Sequence, residues 1–281
     1  MAIRLLALDL DGTLLNSRSE ISPANLRALE ETSRRGVRIA IVTGRRRFSA
    51  QPFVAQIPCP VTMVSSNGAL VGSATGEILH RHFLPQETAL EALEIARAYR
   101  PFTVAIFDKP SRGQVTMEEG ASSDGPYGWY LSHAPSALEL VPDLEKALAT
   151  DPVQLMIGGP PPVVEPAEGL LARSSVEAKI HLSWTQYFSR NMSLLDVNAQ
   201  GCSKASAVAR LAEQAGIKPS QVMAVGDNFN DVELLRYAGR PVVMSQAPPG
   251  VREEGWAVTA SNDADGVAAA IEAYILNDGI P

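Results

Sequence analysis

Apolar residues in this chain come in short runs with polar or glycine-containing ends, and the runs alternate with helical patterns. Ile3 to Leu10 is the first run, stopped at Gly12, and its brevity and abrupt end suit a buried strand better than a helix. Ser22-Pro23 then reads as an N-cap with proline at the first helical position. Gly36 is the matching stop, and Leu26 and Leu29 turn inward between them. Val37 to Val42 is a second buried strand, ending in Thr43-Gly44-Arg45, and Val61 to Val64 a third, ending in Ser65-Ser66-Asn67-Gly68. Strand, helix, strand in this order is the pattern of a doubly wound parallel sheet, which binds ligands at the carboxyl ends of its strands. The polar strand ends are therefore expected to gather on one rim.

From about His82 the rhythm changes. A helix over Pro85 to Tyr99 leads to Phe102–Phe107 and Gln114–Met117, which alternate like half-exposed strands. A helix (Pro142 to Ala149), a strand (Val153 to Ile157), a further helix and a strand (Val176 to Trp184) follow. Pro160-Pro161-Pro162 reads as a loop inside this region. Two strands per helix suits an α+β insert with an open sheet. The first pattern returns near Met192, with a helix over Ser203 to Ala215 and a strand, Val222 to Val225, ending in Gly226-Asp227. A helix (Asn228 to Ala238), strands at Pro241–Met244 and around Val258, and a last helix from Asp265 to about Leu276 complete it. The expected organisation is α/β, with a Rossmann-like doubly wound core from residues 1–82 and 191–281 and an inserted α+β domain over residues 83–190.

Charge narrows the partners. The 281 residues carry a net charge of −7, which argues against nucleic acid, whose binders present a basic face. An anionic substrate would need a metal or a few placed cations. Cys59 and Cys202 are far apart and form no Cys-x-x-Cys pair, so no disulfide framework or zinc site is expected and a reducing cytosol fits. No apolar stretch approaches membrane-spanning length, and Asp9 and Asp11 break the N-terminal run where a signal peptide stays apolar. A cytoplasmic protein without membrane contact is expected. There is no Gly-x-Gly-x-x-Gly after the first strand, no Gly-x-x-x-x-Gly-Lys and no Gly-x-Ser-x-Gly. His80, His82, His133 and His181 are scattered and suggest no metal site.

Candidate chemistry begins with Asp9, Asp11 and Thr13 at the end of the first run. Side chains two apart on a strand start toward the same side, and two bare carboxylates there repel unless a cation lies between them. Mg²⁺, a hard ion with oxygen ligands, meets that need. The plain alternative is an Asp-Gly turn whose carboxylates cap loop amides. If Val222–Val225 lies beside the first strand, Asp227 faces Asp9 and Asp11 and supplies a third oxygen. N-terminal capping accounts for one of Asn228, Asn230 and Asp231, but not for all of them beside Asp227. Lys204 falls in the first turn of a helix, where the macrodipole disfavours a cation unless an anion faces it. Thr43 and the Gly44 amide could donate to a phosphate or simply cap a helix.

Asp9-Leu10-Asp11-Gly12-Thr13, Thr43-Gly44-Arg45, Lys204 and Gly226-Asp227-x-x-Asn230-Asp231 resemble, in order, the four motifs of the haloacid dehalogenase superfamily. Ser66-Asn67-Gly68-Ala69, the late insert and Ser261-Asn262-Asp263-x-Asp265-Gly266-Val267 resemble its Cof-type sugar-phosphatase branch, with a class IIB cap. The resemblance implies Asp9 as nucleophile and Asp11 as acid and base. It implies Mg²⁺ held by Asp9, Asp227 and the backbone carbonyl of Asp11, and phosphoryl oxygens held by Thr43, Gly44, Lys204 and Asn230. Asp231 would orient Lys204 or metal waters, Arg45 and Asn67 would sit at the rim, and the insert would be a cap selecting the leaving group. An acid two residues after the nucleophile favours phosphate-ester hydrolysis over dehalogenation. The implied partner is a small phosphorylated metabolite, met by a monomer or small homo-oligomer. A phosphomutase and a non-catalytic phosphometabolite-binding protein remain as alternatives. Arg112, Tyr127, Trp129 and His133 are insert residues whose type suits substrate contact or packing equally.

Overall fold

The computed structural model describes residues 2–120, 128, 131, 135–252 and 254–277. Tyr127, Trp129 and His133 lie outside the described residues. The chain divides into two compact units, Met1–Arg81 with Ser203–Pro281, and His82–Cys202.

In the discontinuous unit, strands β1 (Leu5–Leu8), β2 (Arg38–Val42), β3 (Thr62–Ser65), β4 (Leu70–Ser73) and β5 (Ile78–Arg81) come from the first segment. The second segment adds β12 (Val222–Gly226), β13 (Arg240–Met244) and β14 (Ala257–Thr259). They form one sheet in the order β14-β13-β12-β1-β2-β3-β4-β5. Pairing is parallel from β14 to β3 and antiparallel through the β3-β4-β5 meander. Helices from the two segments are α1 (Pro23–Arg34), α2 (Arg47–Val54), α6 (Lys204–Gln214), α7 (Val232–Tyr237), α8 (Pro249–Arg252) and α9 (Gly266–Ile271). Both sheet faces are covered, which is why its central strands read as unbroken apolar runs. Leu6, Leu8, Ile39, Ile41, Met223 and Val225 pack into one core with Leu29 of α1 and Ile271 of α9. Leu5, Ala7, Ala40, Val42 and Ala224, alternate residues of the same strands, pack into another with Val208 of α6 and Leu234 of α7. Ser22 caps α1 by accepting from the Asn25 N–H, with Pro23 at its first position, as its sequence predicts.

The second unit contains β6 (Thr103–Ile106), β7 (Val115–Glu118), β8 (Leu138–Val141), β9 (Gln154–Gly159), β10 (Ile180–Tyr187) and β11 (Met192–Ala199), with α3 (Gln86–Ile95), α4 (Leu144–Ala147) and α5 (Pro161–Leu171). Its sheet runs β10-β11-β9-β6-β7-β8, antiparallel except for β7 beside β8. Ala92 and Leu93 of α3 and Val164 and Leu171 of α5 pack on Ala105, Leu155, Ile157, Leu195 and Val197.

Two expectations are corrected. The expected return to the core at residue 191 moves to Ser203, because β11 pairs with β10 and β9 in the smaller sheet. Buried between two neighbours, it has the apolar texture of a core strand. The proline triplet is a helix start: Pro161 and Pro162 occupy the first turn of α5, where a missing N–H costs nothing. Among the described residues no helix is long and apolar enough to cross a membrane.

Candidate active site

Parallel order places four strand ends on one rim. Asp9 follows β1 directly, and its N–H donates to the Val225 carbonyl of β12 at 3.0 Å. Thr43 follows β2 and donates its N–H to Val64 of β3 at 2.8 Å. Ser66-Asn67 follows β3, and the Asn67 N–H returns to the Thr43 carbonyl at 3.1 Å. Asp227 follows β12 beside β1. The sequence puts polar residues at these points because the strands themselves are sealed in apolar cores.

Oxygens of Asp9, Asp227 and Asp231 lie within 4.8 Å of one another, and all three residues are buried. Lys204, at the first position of α6 behind its Ser203 cap, is 1% exposed. Its ammonium donates to Asp9 Oδ1 at 2.6 Å and to Asp231 Oδ1 at 2.7 Å. The unfavourable cation at a helix start is thus explained by two buried anions. Asp231 Oδ2 accepts from the N–H groups of Asp227 and Asn228, each at 3.1 Å. Thr13 donates its hydroxyl to Asp227 Oδ1 at 2.8 Å. Gly12 has φ +78°, and a Cβ there would lie 2.4 Å from Asp227 Oδ2, so both backbone and space call for glycine.

Electrostatically the site is short of positive charge. Burial, then the Asp231 carboxylate, holds Asp9 well above the usual carboxylate range despite Lys204. Burial and Asp231 likewise push Asp227 up to about 7, against a smaller downward pull from the Thr13 hydrogen bond. The same anions outweigh burial at Lys204 and raise its pKa, so it stays an ammonium.

Asp11 is not one of these clustered carboxylates. Arg45 grips its carboxylate with two hydrogen bonds, Nε to Oδ2 at 2.7 Å and Nη2 to Oδ1 at 2.5 Å. The guanidinium also stacks over Phe53, 4.7 Å from the ring centre. Thr43 Oγ1 accepts from the Arg45 N–H at 3.0 Å, keeping its own proton to donate. Asn230 Nδ2 donates to Asn67 Oδ1 at 3.2 Å, and Gly44 lies against both side chains. Ser66 (φ 49°) and Asn67 (φ 52°) are left-handed, and Gly68 continues the bend. A Cβ on Gly68 would meet the Ser203 carbonyl at 2.4 Å, so this turn backs directly onto the cap of α6.

The donor set suits a hard divalent cation: buried carboxylate oxygens, with neither Cys nor His among them. Asp231 is already committed to Lys204 and two amides, which leaves oxygens of Asp9 and Asp227 as the side-chain ligands on offer. The Asp11 carboxylate belongs with Arg45, and its expected part in metal binding rests on its backbone carbonyl alone.

Sequence reasoning singles out Asp9, Lys204, Asp227 and Asp231, which share one cluster, and Gly44, Asn67 and Asn230, which meet one another. It leaves Thr13 without a role, gives no partner for Asp11, and overlooks Gln246, whose Nε2 donates to the Gly12 carbonyl at 2.5 Å. Gln246 comes two residues after β13, as Asp227 comes directly after β12, and that placement was the available signal. His80 has Arg210 at 3.3 Å and joins no metal-binding group among the described residues.

The family model of haloacid dehalogenase-like hydrolases matches residues 6–271. Phosphatase YwpJ of Bacillus subtilis is 27% identical over 95% of this chain and 98% of its own length. HMP-PP phosphatase of Serratia proteamaculans is 29% identical over 88% of this chain and 85% of its own. A solved structure from Bacteroides thetaiotaomicron, BT1666, reported among phosphatases of the haloalkanoate enzyme superfamily, superposes with a TM-score of 0.79 at 26% identity, covering 97% of this chain and 95% of that one. The matched span begins inside β1 and ends with α9, taking in every carboxylate of the rim, and the protein belongs to the haloacid dehalogenase-like hydrolases.

Proposed function

We propose that the protein is a Mg²⁺-dependent phosphatase of small phosphorylated metabolites, sugar phosphates foremost, working through an aspartyl-phosphate on Asp9. The observation that carries this reading is the buried Asp9 carboxylate bonded to Lys204, with a second acid, Asp11, two residues on and outside the cluster. The phosphatase names of relatives aligned over most of their length support it.

Asp9 attacks phosphorus and the P–O bond to the alcohol breaks, while Asp11 gives its proton to the departing oxygen. Water then attacks the same phosphorus, Asp11 takes the water's proton, and phosphate leaves with Asp9 regenerated. Lys204, Thr43, the Gly44 amide and Asn230 hold the transferred oxygens, and Asp231 keeps Lys204 in place. Asp11 must be released by Arg45 to act, which makes Arg45 the natural recipient of substrate charge. Mg²⁺, held by Asp9, Asp227 and the Asp11 carbonyl, supplies charge stabilisation when bound. The inserted unit is, in this reading, the cap that selects the leaving group.

The test is phosphate release from a panel of sugar phosphates, nucleotides, flavin mononucleotide and pyridoxal phosphate, with Mg²⁺ and with EDTA. Mg²⁺-dependent release is expected. Isomerised sugar phosphate without free phosphate would make it a mutase, and no turnover of any kind by folded, Mg²⁺-loaded protein would make it a binder.

A further inference from the structure

The loop after Asp11 is held from the far end of the chain. Gln246 Nε2 donates to the Gly12 carbonyl at 2.5 Å, one residue beyond Asp11. Asn262 Nδ2 donates to the Leu15 carbonyl at 2.9 Å. The Ser17 N–H donates to Asp263 Oδ1 at 2.8 Å. Gln246 and Asn262 are themselves joined, the Asn262 N–H donating to Gln246 Oε1 at 3.3 Å. These contacts reach across 234, 247 and 246 residues of sequence to three points on six residues of loop.

The holding segment is itself fixed. Ala264 and Gly266 both return their N–H groups to the Ser261 carbonyl at 3.0 Å, and Asp265 takes a left-handed conformation at φ 55°. Gly266 sits so close to the Ala260 carbonyl that a Cβ would lie 2.1 Å from it. Asn262 and Asp263 are therefore presented on a rigid turn just before α9. The loop they grip carries Asp11 at its start and Thr13, the hydrogen-bond donor to Asp227. Gln246 and Asp263 lie at the exposed surface, where water could satisfy the same backbone groups. Bonds so placed add little to folding, but they remove freedom from one loop, and that loop carries the acid.

We infer that Gln246, Asn262 and Asp263 form a clasp of positioning residues that fixes the Gly12–Ser17 backbone and so aims Asp11 at the leaving oxygen. The inference rests on the phosphatase reading of the site. None of the three touches substrate or the reacting atoms; they act through the backbone to which Asp11 is joined.

The experiment compares Gln246→Ala, Asn262→Ala, Asp263→Ala and Asp263→Asn with the wild type on an alkyl phosphate it cleaves and on p-nitrophenyl phosphate. Asp263→Asn keeps an oxygen to accept from Ser17 and should behave like wild type. In the three alanine variants kcat for the alkyl ester should fall about tenfold or more, the scale of a misplaced catalytic group, with KM within about twofold. The aryl ester should lose less, since its leaving group needs less protonation. Amide hydrogen exchange of residues 12–17 should quicken in the alanine variants independently of any activity. Unchanged kcat on both esters, with quickened exchange or a lower unfolding midpoint, would reduce the clasp to structural support. Equal losses on both esters would detach it from Asp11, and unaltered exchange would mean that it does not hold the loop. A wild type that cleaves neither ester would defeat the phosphatase reading first, and the exchange data would then speak for the clasp alone.

Discussion

Replacing Asp227 by Asn should make the metal-free protein more stable above neutral pH while removing its response to Mg²⁺. Asp227 is raised from an ordinary 3.8 to about 7 by burial and by the Asp231 carboxylate. Between those values the folded state holds a proton that the unfolded chain has released. The stabilisation tied to that proton is therefore complete below about pH 4 and lost as pH rises through about 7. A gap of about 3 pH units corresponds to about 4 kcal/mol, an order-of-magnitude figure for the strain of ionising Asp227 in place. Asn carries no charge and its amide oxygen can still accept from Thr13, so the variant keeps the contact and sheds the strain. In a protein of this size each kcal/mol moves the unfolding midpoint by about 2–4 °C, so recovering even a quarter of the strain is measurable. The assay is thermal unfolding of both proteins from pH 4 to 9, in EDTA and in Mg²⁺. In EDTA the two should coincide near pH 4 and separate in favour of Asp227→Asn by pH 8. Mg²⁺ should raise the wild-type midpoint strongly at pH 8 and weakly at pH 5, and the variant's little at either. A variant no more stable than wild type at pH 8 in EDTA, or a wild-type Mg²⁺ shift independent of pH, would refute the argument.

Other substitutions probe the same rim. Asp9→Asn should abolish phosphate release without lowering the unfolding midpoint, and appreciable Mg²⁺-dependent turnover would remove Asp9 as nucleophile. Asp11→Asn should slow breakdown of the intermediate, so that phosphorylated protein accumulates with p-nitrophenyl phosphate in an intact-mass measurement; neither slowing nor trapping would place the acid elsewhere. Gly12→Ala should cost about 1–2 kcal/mol for its left-handed backbone and weaken the Mg²⁺-induced shift by displacing Asp227, and an unchanged shift would contradict the 2.4 Å approach. Lys204→Met leaves buried carboxylates without their cation and should cost about 3–5 kcal/mol in chemical denaturation, whereas a near-neutral result would show that proton uptake compensates.

The core was legible because its geometry leaves a mark on every strand. A strand covered on both faces must be apolar throughout, so the first polar residue after β1, β2 or β12 marks both the strand's end and the rim. That is why Asp9, Thr43 and Asp227 stand out. The same rule misassigned β11: Leu194, Leu195 and Val197 are as buried as a core strand, and burial does not say which sheet supplies the neighbours. Side-chain pairings at the site were harder. Asp231 meets Lys204 only because α6 and the turn after β12 converge, and Arg45 reaches Asp11 across the ends of β2 and β1. Asn262 and Gln246 bond to backbone carbonyls, which look alike at every position in a sequence.

Asp9 and its counter-ion Lys204 are also separated in time. A ribosome delivers Asp9 and Asp11 first, but Lys204 lies 195 residues beyond Asp9, and Thr13 waits 214 residues for Asp227. β1 has no β12 beside it until the whole insert has been made. A nascent or truncated chain ending before Ser203 would hold two acidic residues on a half-built sheet, with neither the ammonium nor the carboxylates of Asp227 and Asp231. Messages cut short, and fragments clipped inside the insert, should therefore yield inert protein rather than unregulated enzyme.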